Sequence, residues 1–286
     1  MDPDAAPAFS FSQALSTIVS STLITVAFTA CHTYRTDDAV FELQPKAKAP
    51  DTVATIKKPP GKKKKKTIYL TFDDGPNKGT RKLADIIEAE QVPVTLFIVG
   101  EHVYGSRDQS AMYDTVAHNP LFEIANHSFT HAFNNKFSRF YAVPDSAVKD
   151  FKRCADSLGL TANIIRTPGR NIWRTPSIKS TDINSSMDAA DSLYNKNFTV
   201  MGWDLEWRFN NELHVTCTED ELLQQVDSMF TQNRTKTAGH LVLLAHDQVY
   251  AHSQDSALLH QFIRKLKARE EYDFEVISNY PALIRN

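Results

Sequence analysis

A strand that ends in two adjacent acids constrains this chain more than any other feature of its sequence. The segment Thr67–Phe72 alternates β-branched and aromatic residues, the pattern of a buried strand. Asp73 and Asp74 follow it directly, and Gly75-Pro76 then turns the backbone. Two carboxylates beside a core are costly unless they share a cation or a proton. The segment therefore predicts either a metal site with a general base or a simple Asx-type turn.

Strand-like and helix-like segments alternate from this point onwards. Apolar and β-branched patterns predict strands at 67–72, 93–99, 122–125, 163–165, 200–203, 240–245 and 274–277. Helical spacing of apolar residues predicts helices at 80–90, 110–117, 145–158, 218–230 and 256–268. Such alternation is typical of a parallel sheet, and seven strands in about 220 residues are compatible with an α/β barrel.

The first 66 residues lack the pattern of a packed domain. An apolar, Ser- and Thr-rich stretch leads to Cys31 and resembles a bacterial lipoprotein signal, although a poorly ordered tail is the alternative. Prolines and lysines then alternate up to a run of five lysines, as in an extended tether. We expect a signal-like segment at 1–31, a tether at 32–66 and a folded domain at 67–286. The location expected from this is exported, either periplasmic or as a membrane-anchored lipoprotein of a bacterial envelope.

Charge and cysteine content limit the possible partners. The formal net charge of −2 gives no overall field for nucleic acid, so no nucleic-acid partner is expected. No apolar run has the length of a membrane-spanning helix, which leaves a lipid at Cys31 as the expected membrane contact. Cys154 and Cys217 are expected to be separate thiols, with a disulfide in an oxidising compartment as the alternative.

Polar residues fall at the carboxyl ends of five predicted strands. In chain order they are Asp73 and Asp74, His127, Arg166, Asp204 and Glu206, and His246 with Asp247. A parallel barrel gathers these ends on one face, where its active sites lie. The sequence therefore predicts that these side chains share one site.

Two histidines four residues apart add a metal-binding pattern. On one helical turn His127 and His131 would share a face and bind a single ion, although such pairs also occur as surface or packing histidines. With one carboxylate they form a His-His-Asp site with open positions. That donor set predicts a divalent metal, Zn²⁺ first, with Co²⁺, Ni²⁺ or Mn²⁺ also suitable.

These motifs together resemble a known family. Thr71-Phe-Asp-Asp-Gly-Pro76, followed by His127-Ser-x-x-His131, is similar to the first two motifs of the polysaccharide deacetylases (NodB-homology domain, carbohydrate esterase family 4). The resemblance covers residues 67–284 and implies a distorted (β/α)7 barrel. It also implies that Asp73 is the general base and that Asp74, His127 and His131 bind the metal.

The third motif of that family resembles Arg166-Thr-Pro-Gly-Arg170. The resemblance implies that Arg166 holds the base and that the backbone N–H of Gly169 supports the oxyanion. Many family members have an aromatic residue where this chain has Gly169. Arg174-Thr-Pro176 repeats the tripeptide and is the alternative third motif, while a structural ion pair is the alternative role for Arg166.

The last two motifs concern the catalytic acid. Leu243-Leu-Ala-His246 resembles the fifth motif, which implies that His246 protonates the departing amine. Trp203-Asp-Leu-Glu-Trp207 stands at the fourth, where an acidic residue before Trp supports that histidine. We assign the support to Glu206, with Asp204 as the alternative.

Aromatic residues near the motifs have two possible roles. Stacking on sugar rings and packing in the core both suit them, and packing is the commoner role. They are Phe133, Phe137, Phe140, Tyr141, Trp173 and Trp207.

These observations predict a metal-dependent hydrolase that removes acetyl groups, N-acetyl first, from an envelope or cell-wall polysaccharide or its oligosaccharides. In that reaction a metal supplies a nucleophile from water near neutral pH and offsets the charge of the tetrahedral intermediate. The alternatives are an O-acetyl esterase of the xylan type, an amidohydrolase for small amides, and a non-catalytic glycan-binding module.

Overall fold

A computed structural model describes residues 65–283, so Cys31, the predicted signal-like segment and the predicted tether up to residue 64 lie outside the described residues. Within these described residues, ten strands form one sheet. They are β1 Lys66–Asp73, β2 Val94–Ile98, β3 Phe122–Asn126, β4 Ile164–Ile165, β5 Ile172–Arg174, β6 Lys179–Thr181, β7 Thr199–Val200, β8 Leu205–Glu206, β9 His240–His246 and β10 Tyr272–Phe274.

The strands run β6-β5-β7-β4-β3-β2-β1-β9-β8, and β10 pairs with the start of β1. All described pairings are parallel except the two made by β5. Within residues 65–283 the outer strands β6 and β8 do not pair with each other, so the barrel is open. This architecture agrees with the expected distorted (β/α)7 barrel. The strands β5, β6 and β8 were not predicted, because two or three residues are too few to show a periodicity.

Helices cover the outside of the sheet. They are α1 Thr80–Glu90, α2 Gly100–Val103, α3 Arg107–Ala117, α4 Phe137–Tyr141, α5 Pro144–Leu158, α6 Met187–Asn195, α7 Glu219–Thr231 and α8 Ser253–Ala268, with 3-10 turns at Asn184–Ser186, Asp247–Ala251, Ile277–Asn279 and Pro281–Leu283. The five predicted helices are confirmed, with ends displaced by at most three residues. No helix in the described part of the chain is both long and apolar enough to cross a bilayer.

Side-chain alternation along β1 separates two packing layers. Ile68, Leu70 and Phe72 belong to the large core between the sheet and its helices. Tyr69 belongs to the layer inside the barrel, which also contains Phe97 and Trp173. Since side chains two apart in a strand share a face, Asp73 points to the inside of the barrel, as Tyr69 does.

The register of β1 aligns the residues predicted as base and acid, Asp73 and His246. Asp73 is the Cα partner of His246 on β9 and of Phe97 on β2. The carboxyl ends of these neighbouring strands are therefore level, as the sequence predicted for a parallel barrel.

The loop after β3 corrects one prediction. His127 and His131 were expected to share one turn of right-handed helix, but Ser128 has a φ of 68° and His131–Asn135 form a left-handed turn with φ between 46° and 64°. The histidines meet because the loop folds back. Left-handed backbone costs about 1–2 kcal/mol per non-glycine residue, so other contacts have to hold this loop.

Asp150 of α5 supplies those contacts. Its buried carboxylate accepts hydrogen bonds from the backbone N–H groups of Phe129 and Thr130, at 2.9 and 3.1 Å, and from the Thr130 hydroxyl at 3.0 Å. A single acid thus anchors the segment between the two histidines to a helix.

We expect Asp150→Ala to lower the free energy of unfolding by about 2–4 kcal/mol, because three donors around a buried carboxylate lose their acceptor. Thermal denaturation of the two proteins measures the change. The matched control is Asp156→Ala, which removes an exposed carboxylate from the same helix. Equal melting temperatures for the two variants would contradict this role of Asp150.

Candidate metal centre and active site

A cavity of about 560 Å³ opens at the carboxyl ends of the strands. Its lining includes Asp73, Asp74, His127, His131, Gly169, Glu206 and His246. Arg166 lies directly behind this wall and is fully buried. Asp204 does not line this cavity but a neighbouring one of about 670 Å³. The structure therefore brings together all the predicted site residues except Asp247 and the alternative Asp204.

Asp74, His127 and His131 form a cluster with the geometry of a metal site. Their three ligand atoms lie within 4.8 Å of one another, and Asp74 Oδ1 is 3.5 Å from His127 Nε2 and 3.1 Å from His131 Nε2. Ligand bonds of about 2.1 Å would place neighbouring ligand atoms about 3.0–3.5 Å apart. Asp74 Oδ1 is buried, and among the described residues it has no partner of hydrogen-bond geometry. These three residues fit a divalent cation.

Hydrogen bonds from the other ring nitrogen orient the imidazoles. His127 Nδ1 lies 2.9 Å from the carbonyl oxygen of Arg166, which can only accept, so Nδ1 carries the proton and Nε2 offers its lone pair to the cluster. His102 Nδ1 donates in the same way to the carbonyl oxygen of Asp74 at 2.7 Å. Such outer hydrogen bonds fix tautomer and orientation at metal sites.

The charges of the cluster support each other. Burial by itself would raise the pKa of Asp74, but the facing His127 and His131 outweigh it and hold that pKa well below its usual range. Burial would lower the pKa of His131, yet the neighbouring Asp74 raises it. The site is therefore electrostatically ready for a positive charge between these side chains.

Asp73 is held separately from Asp74. Its Oδ1 accepts a hydrogen bond from Arg166 Nη1 at 2.8 Å, and its Oδ2 lies 3.6 Å from His127 Nε2. Arg166 Nη1 also donates to Thr71 Oγ1 at 2.8 Å, and its guanidinium donates to the carbonyl oxygens of Met201 and Gly202. The arginine is thus fixed from several sides and presents one carboxylate oxygen of Asp73 to the cavity.

The two copies of the Arg-Thr-Pro tripeptide have different roles. Arg166 reaches Asp73, whereas Arg174 pairs with Asp191 on α6. Only the first copy contributes to the cavity, in agreement with the preferred assignment.

Gly169 gives the cavity wall a form that the sequence did not predict. Its φ is +61°, and a Cβ at this position would lie 2.8 Å from Cε1 of Phe137. The ring of Phe137 therefore occupies the space beside a backbone that favours glycine. Phe137, the first residue of α4, lines the cavity beside residue 169, which has no side chain of its own.

His246 lines the cavity without the expected acidic support. Its Nδ1 is buried and has no hydrogen-bond partner within residues 65–283, and its ring packs against Phe209 with 4.9 Å between centroids. Glu206 pairs instead with Arg208 at 3.7 Å, and Asp204 accepts hydrogen bonds from the backbone N–H groups of Lys236 and Val242. The expected contact of either acid with His246 is absent, because β8 directs both carboxylates to other partners.

Asp247 has a role that the strand-end pattern alone did not reveal. Its fully buried carboxylate accepts hydrogen bonds from the Asn77 amide and the Thr80 hydroxyl, and burial raises its pKa to about 7. A Cβ at Gly79 would lie 1.8 Å from the carbonyl oxygen of Asp247, so only glycine allows this approach. Asp247 thereby ties the loop after β1 to the end of β9.

Most of the aromatic residues considered for sugar stacking belong to the core. Phe140, Tyr141, Trp173 and Trp207 are at most 2% exposed. Phe133 packs at the edge of the core, and only Phe137 of this group lines the cavity. The sequence analysis did not single out five polar or aromatic residues of the cavity lining: His102, Asn134, Asn135, Phe209 and Gln248. His102 follows β2 by four residues, so the strand-end criterion could have found it.

The cysteines within the described residues are free thiols. Cys154 is buried, which raises its pKa to about 12, and Cys217 is partly exposed. The expectation of separate thiols agrees with this arrangement.

Comparisons with known proteins give a consistent result. The model of one protein family, described as polysaccharide deacetylase, matches residues 60–197. The peptidoglycan-N-acetylglucosamine deacetylase of Bacillus cereus is 29% identical over 220 residues, which are 74% of this chain and 70% of that protein. YheN of Bacillus subtilis, which is named as a polysaccharide deacetylase, is 27% identical over 189 residues; the match spans 64% of this chain and 58% of YheN.

A solved structure agrees with the fold. The catalytic domain of the peptidoglycan N-acetylglucosamine deacetylase of Eubacterium rectale has a TM-score of 0.54 at 22% identity, over 78% of this chain and 93% of that domain. This likeness confirms the distorted (β/α) barrel of the NodB-homology type. The matching family model, these relatives and the shared motifs support the predicted identification of the chain as a polysaccharide deacetylase (NodB-homology domain, carbohydrate esterase family 4).

Proposed function

We propose that this protein is a metal-dependent hydrolase that removes N-acetyl groups from sugars of a cell-wall polysaccharide. One observation carries the proposal. A buried carboxylate held by arginine, Asp73, lies beside a three-residue metal cluster and is level with His246 at one cavity. Amide hydrolysis at a sugar needs those three functions together: a base, an electrophilic centre and an acid.

The donor set Asp74, His127 and His131 suits a divalent cation, with Zn²⁺ proposed first and Co²⁺, Ni²⁺ or Mn²⁺ as substitutes. When bound there, such a cation lowers the pKa of water and polarises the acetyl carbonyl. The carbonyl oxygen of Arg166 fixes His127 for this role, and Asp150 holds the loop that carries both histidines.

Asp73 is the proposed general base. Arg166 binds one carboxylate oxygen and orients the group, while the other oxygen faces the cluster at 3.6 Å from His127 Nε2. That oxygen is positioned to accept a proton from water at the mouth of the cluster.

His246 is the proposed acid and Gly169 the proposed oxyanion donor. The amine that leaves an amide has to gain a proton, and a histidine can supply it near neutral pH. His246 lies across the β1–β9 pairing from Asp73, so base and acid serve the same cavity. The left-handed Gly169 also lines this cavity, where its backbone N–H is the proposed partner of the developing negative oxygen.

The proposed substrate class follows from the site and from the relatives. The Bacillus cereus and Eubacterium rectale proteins are named as peptidoglycan N-acetylglucosamine deacetylases. This favours an N-acetylated glycan over an O-acetylated xylan or a small amide. The complete set of Asp73, the three proposed ligands and His246 favours an enzyme over a glycan-binding module.

Export is part of the proposal and rests on the sequence alone. The segment up to Cys31 resembles a lipoprotein signal, and the Lys- and Pro-rich stretch after it would tether the domain near the envelope glycan. Metabolic labelling with a radioactive or clickable palmitate tests this point. The wild type should incorporate label and Cys31→Ala should not. If neither protein incorporates label, the proposed lipid anchor at Cys31 is refuted.

We expect Asp73→Asn to retain metal but lose acetate release by about a hundred- to ten-thousandfold, the usual value of a general base. Acetate release from N-acetylglucosamine oligomers and metal content by plasma emission measure the two effects. Asp85→Asn, an exposed acid on α1, is the control. Near-normal turnover in Asp73→Asn would show that another group is the base.

We expect His131→Ala to lower metal affinity by more than about a hundredfold, since even outer hydrogen-bond partners of a metal site contribute about 10- to 100-fold. Competition with a fluorescent chelator measures the affinity. The control is His118→Ala, an exposed histidine at the end of α3.

In the wild-type protein a chelator should abolish acetate release, and Zn²⁺ or Co²⁺ should restore it, because the site offers three protein ligands for such an ion. The measurement is acetate release before chelation, after chelation and after re-addition of each metal. Activity that survives complete removal of metal would refute the metal-dependent mechanism.

A further inference from the structure

A second cavity adjoins the candidate active site. It has a volume of about 880 Å³, against about 560 Å³ for the active-site cavity, and the two share His102 and Gln248 in their walls. We call it the basic cavity and define it by Lys78, Arg81 and Asp108 on its rim with Met112 in its wall. Because the two cavities share these residues, they lie side by side.

The two cavities differ in the charged side chains of their lining. The active-site cavity is lined by three carboxylates and by no lysine or arginine, and two of these carboxylates, Asp73 and Glu206, pair with arginines outside the lining. The basic cavity is lined by two cations, Lys78 and Arg81, and by one carboxylate, Asp108. Of these two cavities, only the basic cavity offers a cationic side chain in its lining to an anionic group.

The two cations of the basic cavity are available to a ligand. Lys78 and Arg81 are exposed and make no hydrogen bond or ion pair with other residues of the described chain. Lys82, the next residue on α1, instead donates to the carbonyl oxygen of Ala251 at 2.8 Å. Two cations without partners at the wall of one cavity are suited to an anionic group.

We propose that the basic cavity binds a carboxylate on the sugar next to the one that is deacetylated. This inference rests on the proposed function and specifies its substrate: a neutral N-acetyl sugar within a glycan whose neighbouring sugar is acidic. Lys78 and Arg81 attract the acidic sugar, whereas the lining of the active-site cavity contains no lysine or arginine that would do so. Charge therefore decides which sugar of the glycan lies at Asp73. In a glycan that alternates N-acetylglucosamine with N-acetylmuramic acid, it is the neutral N-acetylglucosamine.

Acetate release from two glycans tests the proposal. One is the peptide-free strand of alternating N-acetylglucosamine and N-acetylmuramic acid, and the other is the neutral N-acetylglucosamine hexamer. We expect Lys78→Gln/Arg81→Gln to lower kcat/KM on the acidic strand by about five- to twentyfold, mostly through KM, as expected for two partly exposed charge contacts. On the neutral hexamer the same variant should stay within about twofold of the wild type.

A matched control separates this effect from a change in overall charge. Lys149→Gln/Lys152→Gln removes two exposed lysines of α5, which line neither cavity, and changes the net charge by the same amount. This variant should behave like the wild type on both glycans. Amidating the carboxylates of the acidic strand should remove the difference between the wild type and Lys78→Gln/Arg81→Gln.

Three results would overturn the inference: equal loss on both glycans, no loss on the acidic strand, or the same loss in the α5 control. If the wild type releases acetate from neither glycan, the proposed function fails instead. Titration calorimetry of the two glycans with the Asp73→Asn variant, with and without the two substitutions at 78 and 81, then still decides the inference, because it measures binding without turnover.

Discussion

Two neighbouring carboxylates at the end of a buried strand have to find different partners, and the site is built around that requirement. Without separate partners, two carboxylates this close would raise the pKa of one of them, and the two groups would favour sharing a proton. Asp73 follows the alternation of β1 into the barrel and pairs with Arg166. Asp74, with a φ of 76°, leaves the strand direction and faces two imidazoles. One strand end therefore presents two acids in two distinct electrostatic environments.

The loops that carry the site are fixed by buried acids rather than by regular structure. Asp150 binds the segment between the two histidines, and Asp247 binds the loop after β1. Both loops contain backbone that is unfavourable for ordinary residues: Asp74 in the loop after β1, and Ser128 and the turn from His131 in the loop after β3. Strained backbone persists only where surrounding contacts outweigh its cost, and functional loops are a common place for it.

The sequence predicted the strands and helices whose apolar residues recur at a regular spacing, and the polar residues that follow the ends of strands. The strands around Asp73 and His246 and the helix Thr80–Glu90 are long enough for alternation or helical spacing to be visible. The path from His127 to His131 was predicted wrongly, because a spacing of four fits a helix and a folded loop equally well. The missing contact to His246 and the Phe137 ring beside Gly169 depend on tertiary packing, which no local pattern encodes.

The pairing of β1 with β9 has a consequence for how this protein tolerates change. Seven consecutive Cα pairs, from Thr67 with His240 to Asp73 with His246, hold the strands in step. A slip of one residue would turn Phe72 towards the cavity and Asp73 under the helices, so it would disrupt packing and chemistry together. Correct pairing of β1 with β9 and correct alignment of the proposed base, Asp73, with the proposed acid, His246, are therefore one event.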